Sequence, residues 1–184
     1  MDYAVSYFML GEVARLTVAV IFALAACHAM REWAVFGGIV EQYRLVPRRL
    51  AMIFARILPP LELAAAAALV LPETCRPGAT LSMGLMAMFT AAIMVNLARG
   101  RVAIDCGCGG AGGQKLSMGL VLRNLVVMAG LALALEAPIE GVVDGVTTIG
   151  VICASLALTA LYFAANQLMT NFQMLNASNP RTPS

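Results

Sequence analysis

Two cysteines one residue apart lie in the stretch Asp105-Cys106-Gly107-Cys108-Gly109-Gly110. Cys106 and Cys108 can close only a very small disulfide ring, so the bond between them is strained and readily exchanged. Structural disulfides usually close long loops, and this spacing closes almost nothing. Its value is chemical: the pair can carry thiols or electrons. Only a thiolate attacks a disulfide, and nearby cations favour the thiolate over the thiol. Arg123 and Arg56 are the candidates for that stabilising role, with Glu62 as a further buried charge.

The elements that must position these groups follow from composition. Of 184 residues, 61% are hydrophobic and only 12% charged, and the mean hydropathy is +0.85. Soluble domains carry about 25% charged residues, so the solvent of this chain is largely lipid. A net charge of +2 gives no footprint for nucleic acid. Segments of about 20 apolar residues can cross a bilayer. Five come near that length: Phe8–Cys27, Leu50–Leu71, Ala79–Leu97, Leu116–Leu135 and Thr147–Leu168. The expected fold is an all-α, polytopic membrane bundle of about five helices, forming a single domain over residues 1–175. Residues 176–184, polar and Pro-containing, are expected to be a disordered tail. Pro59-Pro60 is expected to kink the second span. Leu24-Ala25-Ala26-Cys27 has the look of a lipoprotein processing site, but Asp2 and Glu12 precede it where a cleaved signal is basic, so the segment reads as the first helix.

Orientation follows from counting basic residues in alternate loops. Arg31, Arg44, Arg48, Arg49, Arg99, Arg101, Lys115 and Arg181 fall on one side, and Arg76 alone on the other. The N-terminus is therefore expected outside and the cysteine pair at the cytoplasmic face.

Ionisable groups inside a span are costly and face the bundle interior. Glu12 and Arg15, one helical turn apart, can neutralise each other. The bland reading of Arg56, Glu62 and Arg123 is a set of interhelical ion pairs that fix packing. The sharper reading uses depth, because Arg56 and Arg123 both lie two turns in from the face with the cysteines. Cys27 and His28 end the first span at that same face, so these groups would gather at one mouth of the bundle. Cys75 and Cys153 fall toward the opposite face. They read as small buried residues, or, if paired with the first set, as part of a transmembrane electron relay. A zinc site from Cys27, His28, Cys106 and Cys108 is disfavoured by spacing, and no metal is expected. Gly107–Gly113 lacks the ending of a phosphate loop, and no cofactor motif is present.

Five stretches occur together and in order: Tyr43-Arg44-Leu45-Val46-Pro47, Leu58-Pro59-Pro60-Leu61-Glu62-Leu63, Arg99-Gly100-Arg101, Cys106-Gly107-Cys108 and Leu122-Arg123-Asn124. In this combination, over about residues 20–135, the chain resembles the MauE family of the wider MauE/DoxX group. The resemblance implies a redox-associated, multi-pass protein of the bacterial inner membrane. It implies a part in maturing the periplasmic methylamine dehydrogenase β (light) subunit, with a thioredoxin-like partner, MauD. Cys106 and Cys108 would be the redox pair, with Glu62 and Arg123 as bundle positions near them. Where related sequences commonly have Phe, this chain has Gly109. The family's client is periplasmic, whereas the charge count sets the pair inside. A non-catalytic scaffold for partner and client is the second functional class, and a small transporter a third.

Overall fold

The computed structural model describes residues 2–107, 114–136 and 144–178. The chain runs through α1 (Asp2–Arg31), α2 (Trp33–Gln42), α3 (Arg48–Val70), a 3-10 turn (Pro72–Thr74), α4 (Cys75–Ala98), α5 (Met118–Glu136) and α6 (Gly145–Ser178). Five of these helices are long and apolar enough to cross a membrane. The protein is thus an all-α polytopic membrane bundle. Each spanning helix satisfies its own backbone, the condition for irregular connections to stay out of the hydrocarbon.

α3 continues as helix through Pro59 and Pro60. α2 was not expected; at ten residues it is too short to span, and it packs on α3 at the end where α1 finishes. α6 is 34 residues long, about 51 Å, well over the roughly 30 Å of a hydrocarbon core. It reaches into the segment expected to be a tail, whose residues 179–184 lie outside the described residues.

The central core is built by α1, α3, α4 and α5, with Phe22, Leu58, Leu69, Leu85 and Leu131 packed among alanines. Small residues permit close helix approach, the main source of packing between helices in lipid. A Cβ on Gly78 of α4 would lie 2.8 Å from the backbone of Ala68 and Leu69 of α3. α6 is mostly exposed, with Leu156, Leu161, Leu168 and Phe172 facing outward as lipid-contacting residues do. Hydroxyls inside the bundle bond to their own helix, as Thr90 does to the Met86 carbonyl at 2.7 Å.

Helix ends are closed by identifiable groups. Arg15 pairs with Glu12, as their spacing suggested, and also donates to the Leu69 carbonyl at 2.8 Å at the C-terminus of α3. α4 ends with Gly100 at φ +70°; its N–H bonds to Leu97 and the Arg101 N–H to Asn96, both at 2.9 Å. This is the Schellman pattern, which needs a residue free to adopt positive φ. Asp144 caps α6, accepting the Thr147 N–H at 2.9 Å.

Alternation of the helices brings the α1–α2–α3 connection, the α4–α5 loop and the end of α6 to one end of the bundle. Arg31, Arg44, Arg48, Arg49, Arg99, Arg101 and Lys115 lie in or beside these connections, while Arg181, the eighth residue of the charge count, lies outside the described residues.

Candidate functional site

The α4–α5 loop begins and ends as a short antiparallel ladder. Asp105 and Lys115 form a bridge, the Cys106 N–H donates to Gln114 at 2.8 Å, and the Leu116 N–H to Ile104 at 3.0 Å. The base of this hairpin is tied to α6: the Lys115 N–H donates to Gln173 Oε1 at 3.1 Å, and Gln173 Nε2 to the Lys115 carbonyl at 3.2 Å. Tyr43 makes a long 3.5 Å contact from its hydroxyl to the Cys106 carbonyl. Cys106 is held between these ties, 7% exposed, in a cluster with Ile93, Ile104, Leu116, Leu120 and Val121.

Gly107 is a glycine for two reasons. Its φ is +78°, and a Cβ there would meet Ile39 Cγ2 of α2 at 3.3 Å. The hairpin therefore lies directly on α2. Cys108, the second member of the pair, lies outside the described residues.

Cys106 and Gly107 line a cavity of about 310 Å³. Its wall includes Ala25 and Ala29 of α1, Phe36, Ile39 and Val40 of α2, Phe54, Leu58 and Glu62 of α3, and Met88, Phe89, Ala92 and Ile93 of α4. Tyr43, Leu45 and Val46, from the turn in which Arg44 adopts φ +46°, complete it. Phe54, Leu58 and Glu62 succeed one another at every fourth position, so the cavity follows α3 for two turns, about 12 Å. Glu62 is the only carboxyl among the described residues of the wall. It is 7% exposed and has no hydrogen-bond or ion-pair partner among the described residues.

Glu62 also borders a second, smaller cavity of about 30 Å³, shared with Phe22, Met86, Phe89, Arg123, Asn124 and Tyr162, enough volume for about one water. Here Arg123 donates from Nη2 to Asn124 Oδ1 and from Nη1 to Asn166 Oδ1, both at 3.0 Å, with its guanidinium 5.4 Å from the Tyr162 ring centroid. Asn124 Nδ2 continues the network to Thr90 Oγ1 at 3.2 Å. Asn166 and Tyr162, both on α6, were not picked out from sequence; their spacing of four, on the face opposite the exposed leucines, was the available signal.

The structure therefore joins Cys106 to Glu62 through one cavity, and Glu62 to Arg123 through another. It does not bring Arg56 or Arg123 to the wall around Cys106. Arg56 is exposed, because six positions place it about 240° around α3 from Glu62. Cys27 is exposed on α1, and its neighbour His28 faces Glu32 at 3.9 Å. Cys75 is buried at the start of α4 and Cys153 exposed on α6, neither in a disulfide.

The residues that converge here come from separate stretches of the chain. The family model described as "Methylamine utilisation protein MauE" matches residues 7–136. The chain belongs to the MauE family. It is 44% identical over 154 residues to the methylamine utilization protein MauE of Methylorubrum extorquens, covering 79% of this chain and 80% of that relative. The MauE proteins of Paracoccus denitrificans and Methylophilus methylotrophus are each 36% identical, over 157 and 165 residues. Those alignments cover 84% of both chains in the first case, and 86% of this chain and 85% of the relative in the second. No solved structure matches. Within this MauE-family chain the Tyr43–Pro47 turn, the Leu58–Leu63 segment and Cys106-Gly107 all contribute to one cavity wall. Arg123 and Asn124 stand on the far side of Glu62.

Proposed function

We propose that this chain acts in methylamine utilisation as a redox component of the bacterial inner membrane. Its task is maturation of the periplasmic methylamine dehydrogenase β subunit, by thiol–disulfide transfer with a thioredoxin-like partner, MauD. The observation that carries this reading is the placement of Cys106. A cysteine with an exchangeable partner two residues on sits on a hairpin tied at both sides of its base, against a cavity with a buried carboxyl. Membership of the MauE family supports the biological setting.

The two sulfurs have different tasks. Cys106 faces the bundle, so a folded partner cannot reach it. Exchange with the partner is assigned to Cys108: a partner thiolate attacks Cys108, and the Cys106 thiolate leaves into the cavity. A second partner thiolate then resolves the mixed disulfide, leaving both cysteines reduced and the partner oxidised. Arg123 acts as a positioning residue that holds α5 and α6 together beside Glu62.

The test is Cys106→Ser with Cys108→Ser in a host that makes methylamine dehydrogenase. Mature β subunit should disappear while the variant accumulates in the membrane at the normal level. Maturation that survives the double change would leave the chain as a scaffold for partner and client.

A further inference from the structure

A dithiol that is to act more than once needs an electron acceptor, and the cavity indicates its class. We infer that the cavity beside Cys106 binds a membrane quinone, which reoxidises Cys106 and Cys108. This rests on the redox reading above and deepens it by naming the acceptor of the electrons taken from the partner.

The wall excludes most alternatives. It is apolar apart from Cys106, Tyr43 and Glu62, so a charged oxidant such as glutathione disulfide would be desolvated without compensation. Its volume of about 310 Å³ is at the lower end of small-molecule sites, which run from about 300 to 1,000 Å³. Phe36, Phe89 and Tyr43 offer aromatic faces to a flat ring. Phe54, 42% exposed, stands at the rim on the side of α3 that also exposes Ile53 and Ile57. A ligand carrying an isoprenoid tail can enter there from lipid.

A simple acyl chain would meet the apolar wall equally well, but it would leave Glu62 without a purpose. Glu62 is a polar side chain more than nine-tenths buried, without a partner among the described residues, and it lines the cavity. A buried polar group of that kind is normally satisfied, and a quinone oxygen satisfies it. The reaction balances. The two S–H bonds break, the Cys106–Cys108 bond forms, and the two electrons and two protons pass to the quinone to give a quinol. Glu62 is the wall carboxyl able to hand a proton to the ring oxygen that faces it. A thiol proton released when the Cys106–Cys108 bond forms replaces it, so two protons leave the cysteines and two reach the quinol.

The experiment uses the full chain in lipid nanodiscs, reduced and freed of reductant, with a short-chain ubiquinone analogue as probe. Quinone absorbance and maleimide trapping are followed together. The expected result is one quinol formed per cysteine pair, with none from Cys106→Ser. Ala92→Phe, which fills the cavity, should slow the reaction by about tenfold or more. Glu62→Gln should slow it and flatten its pH profile. Binding has its own readout in Trp33, the sole tryptophan, one turn before Phe36. In Cys106→Ser, where the cavity is intact, the quinone should quench Trp33 saturably. Thiols that stay reduced in the presence of quinone, or quenching that never saturates, would overturn the inference. If that happens while the double Ser variant still abolishes maturation in cells, the redox reading stands and only the quinone falls. If maturation survives the double change, both fall.

Discussion

Gly107→Ala tests whether the hairpin really lies against α2, and Gly100 supplies its control. Both glycines have positive φ, +78° and +70°. Placing an L-residue in that region costs about 1–2 kcal/mol, so both substitutions carry the same backbone term. The difference is in what the new methyl meets. At Gly100 nothing lies within 4 Å, whereas at Gly107 Ile39 Cγ2 lies at 3.3 Å and two Phe36 ring carbons at 3.6 and 3.7 Å. The backbone term alone should lower the apparent melting temperature by about 2–8 °C, at roughly 2–4 °C per kcal/mol for a chain of this size. Gly107→Ala should lie clearly below Gly100→Ala, since Ile39 has to move to admit the methyl. Ile39→Ala in the Gly107→Ala background should recover that extra loss, giving a favourable coupling in the double-mutant cycle. The assay is heating in detergent, followed by Trp33 fluorescence on α2. If the two glycine variants melt together, or Ile39→Ala recovers nothing, the hairpin does not press on α2 and the cavity is not closed as described.

Gly78→Ala should destabilise the bundle by about 1–3 kcal/mol, because the methyl meets α3 backbone and has nowhere to go. Gly84→Ala on the same helix, with nothing within 4 Å, should be neutral or stabilising; comparison of their melting temperatures in detergent decides. The Thr147 side chain and N–H hold the Asp144 carboxyl below its usual pKa. A depressed folded-state pKa means that this cap is complete above the ordinary carboxylate value and is lost as pH falls through the folded pKa. Hydrogen-exchange protection in the first turn of α6 should therefore drop in acid, and Asp144→Asn should remove that dependence. Finally, direct exchange at Cys108 in the service of a periplasmic client predicts that Cys108 in Cys106→Ser cells is labelled by an impermeant maleimide. Labelling by the permeant reagent alone would set the hairpin at the cytoplasmic face, as the basic residues around it suggest, and would refute direct exchange with a periplasmic partner.

Much of the architecture was legible because lipid imposes a simple rule on length and hydropathy. Even so, the apolar windows marked only the crossing part of each helix. Phe8–Cys27 became Asp2–Arg31 and Thr147–Leu168 became Gly145–Ser178, since the hydrogen-bond ladder does not stop at the membrane surface. α2 went unread because ten residues fall below any spanning threshold, although Phe36, Ile39 and Val40 have the spacing of one helical face. The Glu12–Arg15 pair was visible as a local spacing, but its closure of α3 was not, because that joins residues 54 apart. At the site, the cysteine pair and Glu62 stood out by type. Their meeting could not be read, because it depends on how α3 and the α4–α5 loop pack. For Arg56 depth is legible and facing is not: it is exposed on α3, away from the wall that Cys106 and Glu62 share.

The central claim is that Cys106 and Cys108 cycle between dithiol and disulfide. It is tested most directly by acid-quenching growing cells and counting maleimide additions on the chain before and after reduction, in the wild type and in each single Ser variant. The expected result is that reduction uncovers two further thiols in a fraction of wild-type molecules and in neither variant. If both sulfurs are labelled without reduction in every wild-type molecule, during active production of the dehydrogenase, the pair is not a redox couple and the account fails.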